Sequence, residues 1–199
     1  RRQKMAKSEN IFEKDLIKRQ ANFSPLSPIS FLDWSAHVYP NKTAVIYGDL
    51  HFTWRQFNER CLRLASALKK RGISDGDCVS IISPNTPTML EAHYGVPMSG
   101  AVLNSLNFRL DPATIALILE HSEAKMLISD KEFSQVIKEA LTLIKKEITV
   151  IDIDDHQAKI GELIGEKNYE SLLDEGDLNF QWQPPQDEWQ AIALNYTSG

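Results

Sequence analysis

The sequence predicts an α/β fold, with a mostly parallel sheet covered by helices on both faces and an added N-terminal hairpin. Three observations support this. From position 78 onward, short apolar runs typical of strands alternate with segments of helical periodicity, which favours a parallel sheet. Upstream, a strand–turn–strand pattern precedes one long amphipathic stripe. Hydrophobic residues make up 42% of the 199 residues, which is enough for a buried core.

The first elements follow from caps and turns. Residues 1–22 are charged and weakly patterned, so we expect an arm there and a single domain over residues 23–199. Ser27-Pro28 predicts the start of a short helix that ends before Pro40. The next strands should pair as a hairpin around Gly48-Asp49, and they cover residues 43–47 and 51–53.

A long helix should follow the hairpin. Thr53 and Gln56 have the spacing of a capping box, and Gly72 is a suitable residue to end the helix. The apolar positions recur every three or four residues and form one stripe, which consists of Phe57, Cys61, Leu64, Ala65 and Leu68.

The second half reads as alternating strands and helices. The predicted strands are residues 78–82, 101–104, 126–129, 149–153 and a buried last strand, 191–196. Helices should begin at Thr86-Pro87, at Asp111-Pro112 and near Phe133, and the first should kink near Pro97. Residues 154–185 are more polar, and we predict a surface excursion whose short helix carries Tyr169, Leu172 and Leu173.

Composition narrows the class of protein. A net charge of −5 argues against a nucleic-acid binder, which would usually carry a basic stripe. No apolar run reaches the roughly 20 residues of a membrane span, and no signal-peptide core follows Met5. We therefore expect a soluble intracellular protein. Cys61 and Cys78 lie in apolar segments without metal-ligand spacing, so we expect two buried thiols in a reducing compartment.

Other polar residues give weaker signals. The acidic residues after position 151, Asp152, Asp154 and Asp155, could attract a cation, but a solvated acidic loop is the simpler interpretation. The histidines lack metal-ligand spacing and should be surface or packing residues; they are His37, His51, His93, His121 and His156. Asn107 and Arg109 could line a ligand, although a capping or solvated role is favoured, and Trp182 and Trp189 should belong to a packed loop.

The last residues carry the most specific chemical signal. The predicted strand 191–196 runs directly into Thr197, Ser198 and Gly199. Small residues let backbone N–H groups converge on a phosphate, and the two hydroxyl groups add donors. On its own this tripeptide is also compatible with an ordinary turn.

Its context resembles the adenylate-forming superfamily, which includes acyl-CoA synthetases, luciferases and peptide-synthetase adenylation domains. Residues 193–199, Ala-Leu-Asn-Tyr-Thr-Ser-Gly, resemble the opening of the phosphate loop of that superfamily. Further segments resemble its acyl-activating branch in the same order along the chain: residues 43–47, 52–54 with Arg60, 76–79 with Pro84-Asn85, 95–104 and 107–110.

The resemblance implies an enzyme, an ATP-dependent acyl-CoA ligase acting on a short- to medium-chain carboxylic acid. ATP, Mg²⁺ and coenzyme A would be its cofactors and co-substrates. Thr197, Ser198 and Gly199 would contact the β- and γ-phosphates, with no metal ligand among them. Catalytic residues are expected after Gly199, so the chain is expected to be an N-terminal fragment that is inactive by itself.

The same resemblance leads to expectations about the assembly and the compartment of the full-length enzyme. The full-length enzyme could form a homodimer, and it should be cytoplasmic, or peroxisomal if a C-terminal signal follows. Two alternatives to a CoA ligase stay open: an adenylation domain that loads a carrier protein, and a non-catalytic binding or dimerisation module.

Overall fold

A computed structural model describes residues 10–12, 14–16, 19 and 21–197, and it has the predicted alternation of strands and helices. The strands are β1 (Thr43–Tyr47), β2 (Leu50–Thr53), β3 (Cys78–Ile82), β4 (Val102–Ser105), β5 (Met126–Asp130), β6 (Thr149–Ile153), β7 (Lys167–Asn168) and β8 (Ala193–Leu194). The helices are α1 (Ile29–Val38), α2 (Trp54–Lys70), α3 (Pro87–Met98), α4 (Pro112–His121), α5 (Ser134–Leu143) and α6 (Tyr169–Asp174). A 3₁₀ turn, Lys131–Phe133, precedes α5.

The main sheet is parallel throughout. Its strand order is β7-β6-β5-β3-β4-β8, and β1 and β2 form a separate antiparallel pair. Parallel neighbours require crossover connections, and helices α3, α4 and α5 provide them between β3, β4, β5 and β6. The predicted fold class, a parallel sheet with helices on both faces and an N-terminal hairpin, is confirmed.

Alternating side chains of β3 divide the core between the two faces of the sheet. Val79 and Ile81 pack with α2, α3 and α6, whereas Cys78 and Ile82 pack with α4 and α5. A third cluster joins α1 and the hairpin to the outer side of α2 around Phe57. The hairpin therefore packs on the helical layer.

Local signals located the boundaries well. Thr53 and Gln56 form both hydrogen bonds of the capping box at the start of α2. Gly72 follows the end of α2 with φ +83°, a conformation that glycine adopts readily. Gly95 lets α3 approach α2, because a Cβ at this position would lie 2.7 Å from the Leu64 side chain. Pro97 lies in the last turn of α3.

The structure corrects two predictions. The last strand is not a buried six-residue strand: only Ala193–Leu194 pair with β4, and Ala193 is exposed because β8 lies at the edge of the sheet. Residues 154–185 are more than a surface excursion. Their side chains Tyr169, Leu172 and Leu173 enter the main core, since all three lie on one face of α6, and β7 extends the sheet beyond β6.

Two further predictions concern the N-terminal arm and membrane-spanning helices. Much of the predicted arm, residues 1–22, lies outside the described residues, so the boundary at position 23 stays a prediction. Among the described residues, no helix has both the length and the apolar character that a membrane span needs.

Candidate functional site

Polar groups collect where β3 ends and α3 begins. Ser83 and Thr86 are buried, and their hydroxyl oxygens lie 2.9 Å apart. Thr86 also accepts a hydrogen bond from the backbone N–H of Met89 (3.3 Å) and so caps α3. In open parallel sheets, ligands bind beyond the carboxyl ends of the strands, and this is such a place.

Two buried carboxyl groups lie at the same edge, Asp130 at the end of β5 and Asp155 after β6. Tyr47 of the hairpin donates a hydrogen bond to Asp155 Oδ2 (2.6 Å), and burial together with this bond raises the pKa of Tyr47 well above its usual value. Burial raises the pKa of Asp130 to about 6, and the Asp155 carboxylate adds to that rise. Among the described residues, Asp130 Oδ2 has no hydrogen-bond partner.

A cavity of about 310 Å³ with a mixed polar and apolar lining opens beside these groups. Tyr47, Asp155 and His156 line one side of it, and Arg60 and the first residues of α3 line the other. His156 Nδ1 lies 3.6 Å from Asp155 Oδ1. The cavity thus offers both acidic and basic groups next to a helix N-terminus.

A larger and mostly apolar cavity, about 690 Å³, lies between the hairpin, α3 and β8. Val45, Met89, Tyr94 and Ala193 are among its lining residues, and His93 adds a polar group. Its volume is within the range of small-molecule pockets, which is roughly 300–1,000 Å³. Since β8 contributes to the wall, the cavity adjoins the strand that leads into the predicted phosphate loop.

A buried ionic network ties together the helices on this face. Glu91 of α3 is fully buried and accepts hydrogen bonds from Arg60 Nε (2.6 Å), Arg60 Nη2 (3.2 Å) and Tyr169 Oη (2.8 Å). Arg60 also makes two bonds to Glu170, at 2.6 and 2.8 Å, and its guanidinium lies 4.9 Å from the centre of the Phe52 ring. Burial raises the pKa of Glu91, and the charge of Arg60 opposes that rise. The donors of Arg60 are therefore directed at protein carboxylates.

Sequence reasoning treated Arg60 only as a family marker and missed this network. Glu91 was a signal that could have been used, because it is an acidic residue within an otherwise apolar helix. Its partners could not be identified from spacing, since Tyr169 lies 78 positions further along the chain.

The predicted phosphate-binding residues follow β8. Thr197 is exposed, and Ser198 and Gly199 lie outside the described residues, so their role stays a prediction. Just before them, the Tyr196 hydroxyl is hydrogen-bonded to His121 Nδ1 at the end of α4 (2.7 Å). The two rings meet edge to face with their centres 5.7 Å apart. Sequence reasoning missed this contact as well.

The predicted solvated acidic loop after β6 is wrong for two of its three aspartates. Asp152 is buried, and its carboxylate accepts hydrogen bonds from the backbone N–H groups of Ile164 (3.1 Å) and Gly165 (2.7 Å), which replace the lost contact with water. Asp155 is buried with Tyr47, whereas Asp154 is exposed and pairs with Lys131 at 2.6 Å. Within the described part of the chain, no group of three or more His, Cys, Asp or Glu side chains could hold a metal ion.

The remaining candidates have structural roles. Asn107 and Arg109 are both exposed, and Asn107 Oδ1 accepts from the backbone N–H of Arg109 (3.0 Å) within a turn, which agrees with the favoured solvated role. Cys61 and Cys78 are buried free thiols, as predicted. Trp182 packs against the third core cluster, but Trp189 is 94% exposed, so the packed loop was predicted correctly only for Trp182.

Comparisons with known proteins agree with this architecture. Residues 32–199 match a family model described as AMP-binding enzyme. The chain is 46% identical over 197 residues to a peroxisomal acetate/butyrate–CoA ligase of Arabidopsis thaliana, which covers 93% of this chain and 35% of the relative. It is 43% identical to an acetate–CoA ligase of Humulus lupulus, with the same two coverages. The chain thus spans about a third of the length of these relatives.

Solved structures show the same fold. A crystal structure of an anthranilate–CoA ligase in complex with anthranoyl-AMP superposes with a TM-score of 0.77 at 21% identity, covering 92% of this chain and 34% of that one. The N-terminal domain of a Mycobacterium tuberculosis protein named FACL13, solved with an inhibitor, gives a TM-score of 0.72 at 24% identity and covers 86% of this chain. At these identities the likeness concerns the fold alone.

Proposed function

We propose, since this chain belongs to the AMP-binding enzyme family, that the protein containing it is an ATP-dependent acyl-CoA ligase that forms AMP and pyrophosphate. The observation that carries the proposal is the 46% identity, over 93% of this chain, to a relative that is an acetate/butyrate–CoA ligase. A carboxylate would attack the α-phosphate of ATP to give an acyl-adenylate. The thiol of coenzyme A would then displace AMP and form the thioester.

The proposed contribution of this chain is to the first half-reaction. Thr197, Ser198 and Gly199 would hold the β- and γ-phosphates through hydroxyl and backbone N–H donors. Negative charge grows on the leaving pyrophosphate as the α-phosphate is transferred, so these donors should bind more strongly in the transition state than in the ground state. The exposed position of Thr197 leaves its hydroxyl accessible for this purpose.

Mg²⁺ would supply additional charge neutralisation on the phosphates of ATP. The buried carboxyl groups nearest to the sheet edge, Asp130 and Asp155, do not fit a ligand set for it. Asp155 accepts hydrogen bonds from the Tyr47 hydroxyl and the Gln157 backbone N–H, and no third His, Cys, Asp or Glu side chain among the described residues completes a metal site with these two carboxyl groups. We therefore assign no described residue of this chain to Mg²⁺.

The substrate is proposed to be a short- to medium-chain carboxylic acid. The relatives named for acetate, butyrate and 2-methylpropanoate support the short end of this range. Coenzyme A is the proposed acceptor rather than a carrier protein, because those relatives are CoA ligases. A full-length homodimer is a further part of the proposal, which sedimentation of the purified protein would test.

The compartment is proposed to be the cytoplasm, with the peroxisome as the alternative that the names of several relatives support. Fluorescence of the full-length protein, tagged at its N-terminus so that the C-terminus remains free, would distinguish the two.

The experiment uses the full-length protein and separates the half-reactions. Adenylation is followed as carboxylate-dependent exchange of labelled pyrophosphate into ATP, and thioester formation is started from pre-formed acyl-adenylate. Changing Thr197 and Ser198 together to alanine removes two donors to a charged group, each worth roughly 1.5–3 kcal/mol. Adenylation should therefore slow by at least one to two decades, while thioester formation stays near its normal rate.

A matched control is Thr142→Ala, which removes a threonine hydroxyl from the exposed side of α5. It should leave both half-reactions unchanged. Equal losses in the two half-reactions of the double variant, or no loss in either, would refute the assignment of these residues to a phosphate loop. Absence of any carboxylate-dependent exchange in the unaltered protein would refute the ligase itself.

A further inference from the structure

The chain between β8 and Thr197 has few attachments to the rest of the fold. Pairing of β8 with β4 involves only Ala193 and Leu194, and Asn195 and Thr197 are both exposed. A backbone hydrogen bond from Leu103 N–H to the Ile192 carbonyl (3.1 Å) fixes the strand before this point. The position of Thr197 therefore depends on whatever holds the residues that immediately follow β8.

Tyr196 provides such an attachment. Its hydroxyl is hydrogen-bonded to His121 Nδ1 at 2.7 Å, and its ring meets the imidazole edge to face. His121 is the last residue of α4, a helix whose Ile115 and Leu119 are fully buried in the core under the sheet. The hydrogen bond thus ties Tyr196 to the packed helix α4, although His121 lies 75 positions earlier in the chain.

The Tyr196 side chain is exposed, at 36%, like the residues on either side of it, so its hydrogen bond and ring contact with His121 are what hold it in place. Burial is the main cause that raises the pKa of Tyr196, and the nearby Cys78 thiol contributes to the rise. The phenol thus stays neutral near pH 7, and which group donates in its bond to His121 Nδ1 depends on the imidazole tautomer.

We propose that His121 is a positioning residue for the adenylation step, and that it acts by holding the Tyr196 hydroxyl and thereby the adjoining phosphate-binding residues. The inference rests on the proposed function, because it presumes that Thr197 and its neighbours contact the phosphates of ATP. His121 itself touches no substrate. His121 acts through its hydrogen bond to Tyr196, which directly precedes Thr197 in the chain. This connection limits the positions that the Thr197 donors can take.

Tyr196→Phe is the most specific test, since it removes the hydroxyl and keeps the ring contact with His121. A neutral hydrogen bond contributes modestly, so adenylation by the full-length protein should slow roughly three- to tenfold. Thioester formation from pre-formed acyl-adenylate should keep its rate, because pyrophosphate has already left. The loss should appear in kcat for adenylation more than in the KM for the carboxylic acid.

A variant cycle separates this role from a general structural one. His121→Ala should slow adenylation as Tyr196→Phe does, and the two changes together should cost no more than either alone. His121→Gln, whose amide can still bond to the hydroxyl, should retain most of the rate. His37→Gln is the matched control, because His37 also lies in the last turn of a ten-residue helix, α1, and should leave the rate unchanged.

Selective ¹⁵N labelling of histidine gives a readout independent of activity. The Nδ1 resonance of His121 should shift in Tyr196→Phe, while the other histidine resonances keep their positions.

The outcomes distinguish the two proposals. Slower adenylation in the Thr197/Ser198 double variant with a normal rate in Tyr196→Phe would overturn the role of His121 and leave the ligase assignment intact. Normal adenylation in both would overturn the role of His121 and the assignment of Thr197 and Ser198 to the phosphate loop, while the ligase assignment would fall only if the unaltered protein showed no carboxylate-dependent exchange. Equal losses of the two half-reactions in Tyr196→Phe, or an unshifted His121 resonance, would show that the contact has no positioning role.

Discussion

Removing Arg60 should destabilise the fold far more than removing Arg71, the arginine that follows the end of the same helix. Arg60→Met deletes the charge and keeps an unbranched apolar stem, which leaves Glu91 fully buried with only Tyr169 as a side-chain partner. At 2.6 Å and an effective dielectric constant of about 20, the direct attraction of the ion pair is roughly 6 kcal/mol. Desolvation offsets part of this attraction, and breaking one partner of a buried pair typically costs about 3–5 kcal/mol.

The pH dependence of the loss has a definite sign. Without Arg60, burial and the nearby Glu170 charge are opposed only by the hydrogen bond from Tyr169, so the pKa of Glu91 in the folded state rises further above the unfolded value of roughly 4.3. An acid with a raised folded-state pKa contributes stability below the unfolded value and loses it as the pH rises through the folded value. The deficit of Arg60→Met relative to the unaltered protein should therefore be largest near pH 7.5 and smallest near pH 4.5.

Urea unfolding followed by circular dichroism at these two pH values measures the effect. Arg71→Met is the matched control: Arg71 follows the end of α2 and pairs with Glu166 and with Glu175 (2.7 Å). Unlike the fully buried Glu91, these carboxylates are partly exposed. Such a pair contributes about 1 kcal/mol or less. The double variant Arg60→Met/Glu91→Gln should regain part of the stability, because no buried charge remains. Equal losses for Arg60→Met and Arg71→Met, or a loss independent of pH, would refute this account of the network.

Two further changes test other parts of the fold. Gly161→Ala should lower the free energy of unfolding by at least about 2 kcal/mol, since φ is +100° and the new Cβ would overlap the Lys131 carbonyl. Gly72 also has a positive φ (+83°), but a Cβ there would meet no neighbouring atom, so Gly72→Ala should lower the free energy of unfolding by only about 1 kcal/mol. Equal losses of stability for the two variants in thermal unfolding would contradict the overlap at Gly161. Asp130→Asn should stabilise the protein by about 1–3 kcal/mol at pH 7.5 and by almost nothing near pH 4, because the folded-state pKa of Asp130 is about 6. A gain that is the same at both pH values would argue against a buried carboxylate as its cause.

The sequence predicted elements whose signals are local. β3 was placed at Cys78–Ile82 because five apolar or small residues stand between turns, and α2 because its cap and stripe agree. The predicted strand 101–104 differs from β4 by one residue. The last strand was overestimated because apolar content was read as burial, whereas an edge position leaves Ala193 exposed.

The polar contacts of the candidate site were not predictable in the same way. Asp152 and Asp155 read as a solvated loop because consecutive acidic residues usually face solvent. Their burial is decided by backbone N–H groups of residues 164 and 165 and by the Tyr47 hydroxyl, 108 positions away from Asp155. Neither partner has a periodicity that a single sequence reveals.

These distant contacts follow a common physical logic. The hydrophobic pattern fixes which face of each element is buried, but it specifies no single arrangement of the hairpin, α6 and the chain after β8, which all lie at the margins of the sheet. A polar contact with a buried partner discriminates between arrangements, since a shifted register would leave a charge or donor unpaired. Tyr47 with Asp155 fixes the hairpin, and Arg60 and Tyr169 with Glu91 fix α6. His121 with Tyr196 is more exposed than the other two contacts, so it should restrict the chain after β8 less strongly than they restrict the hairpin and α6.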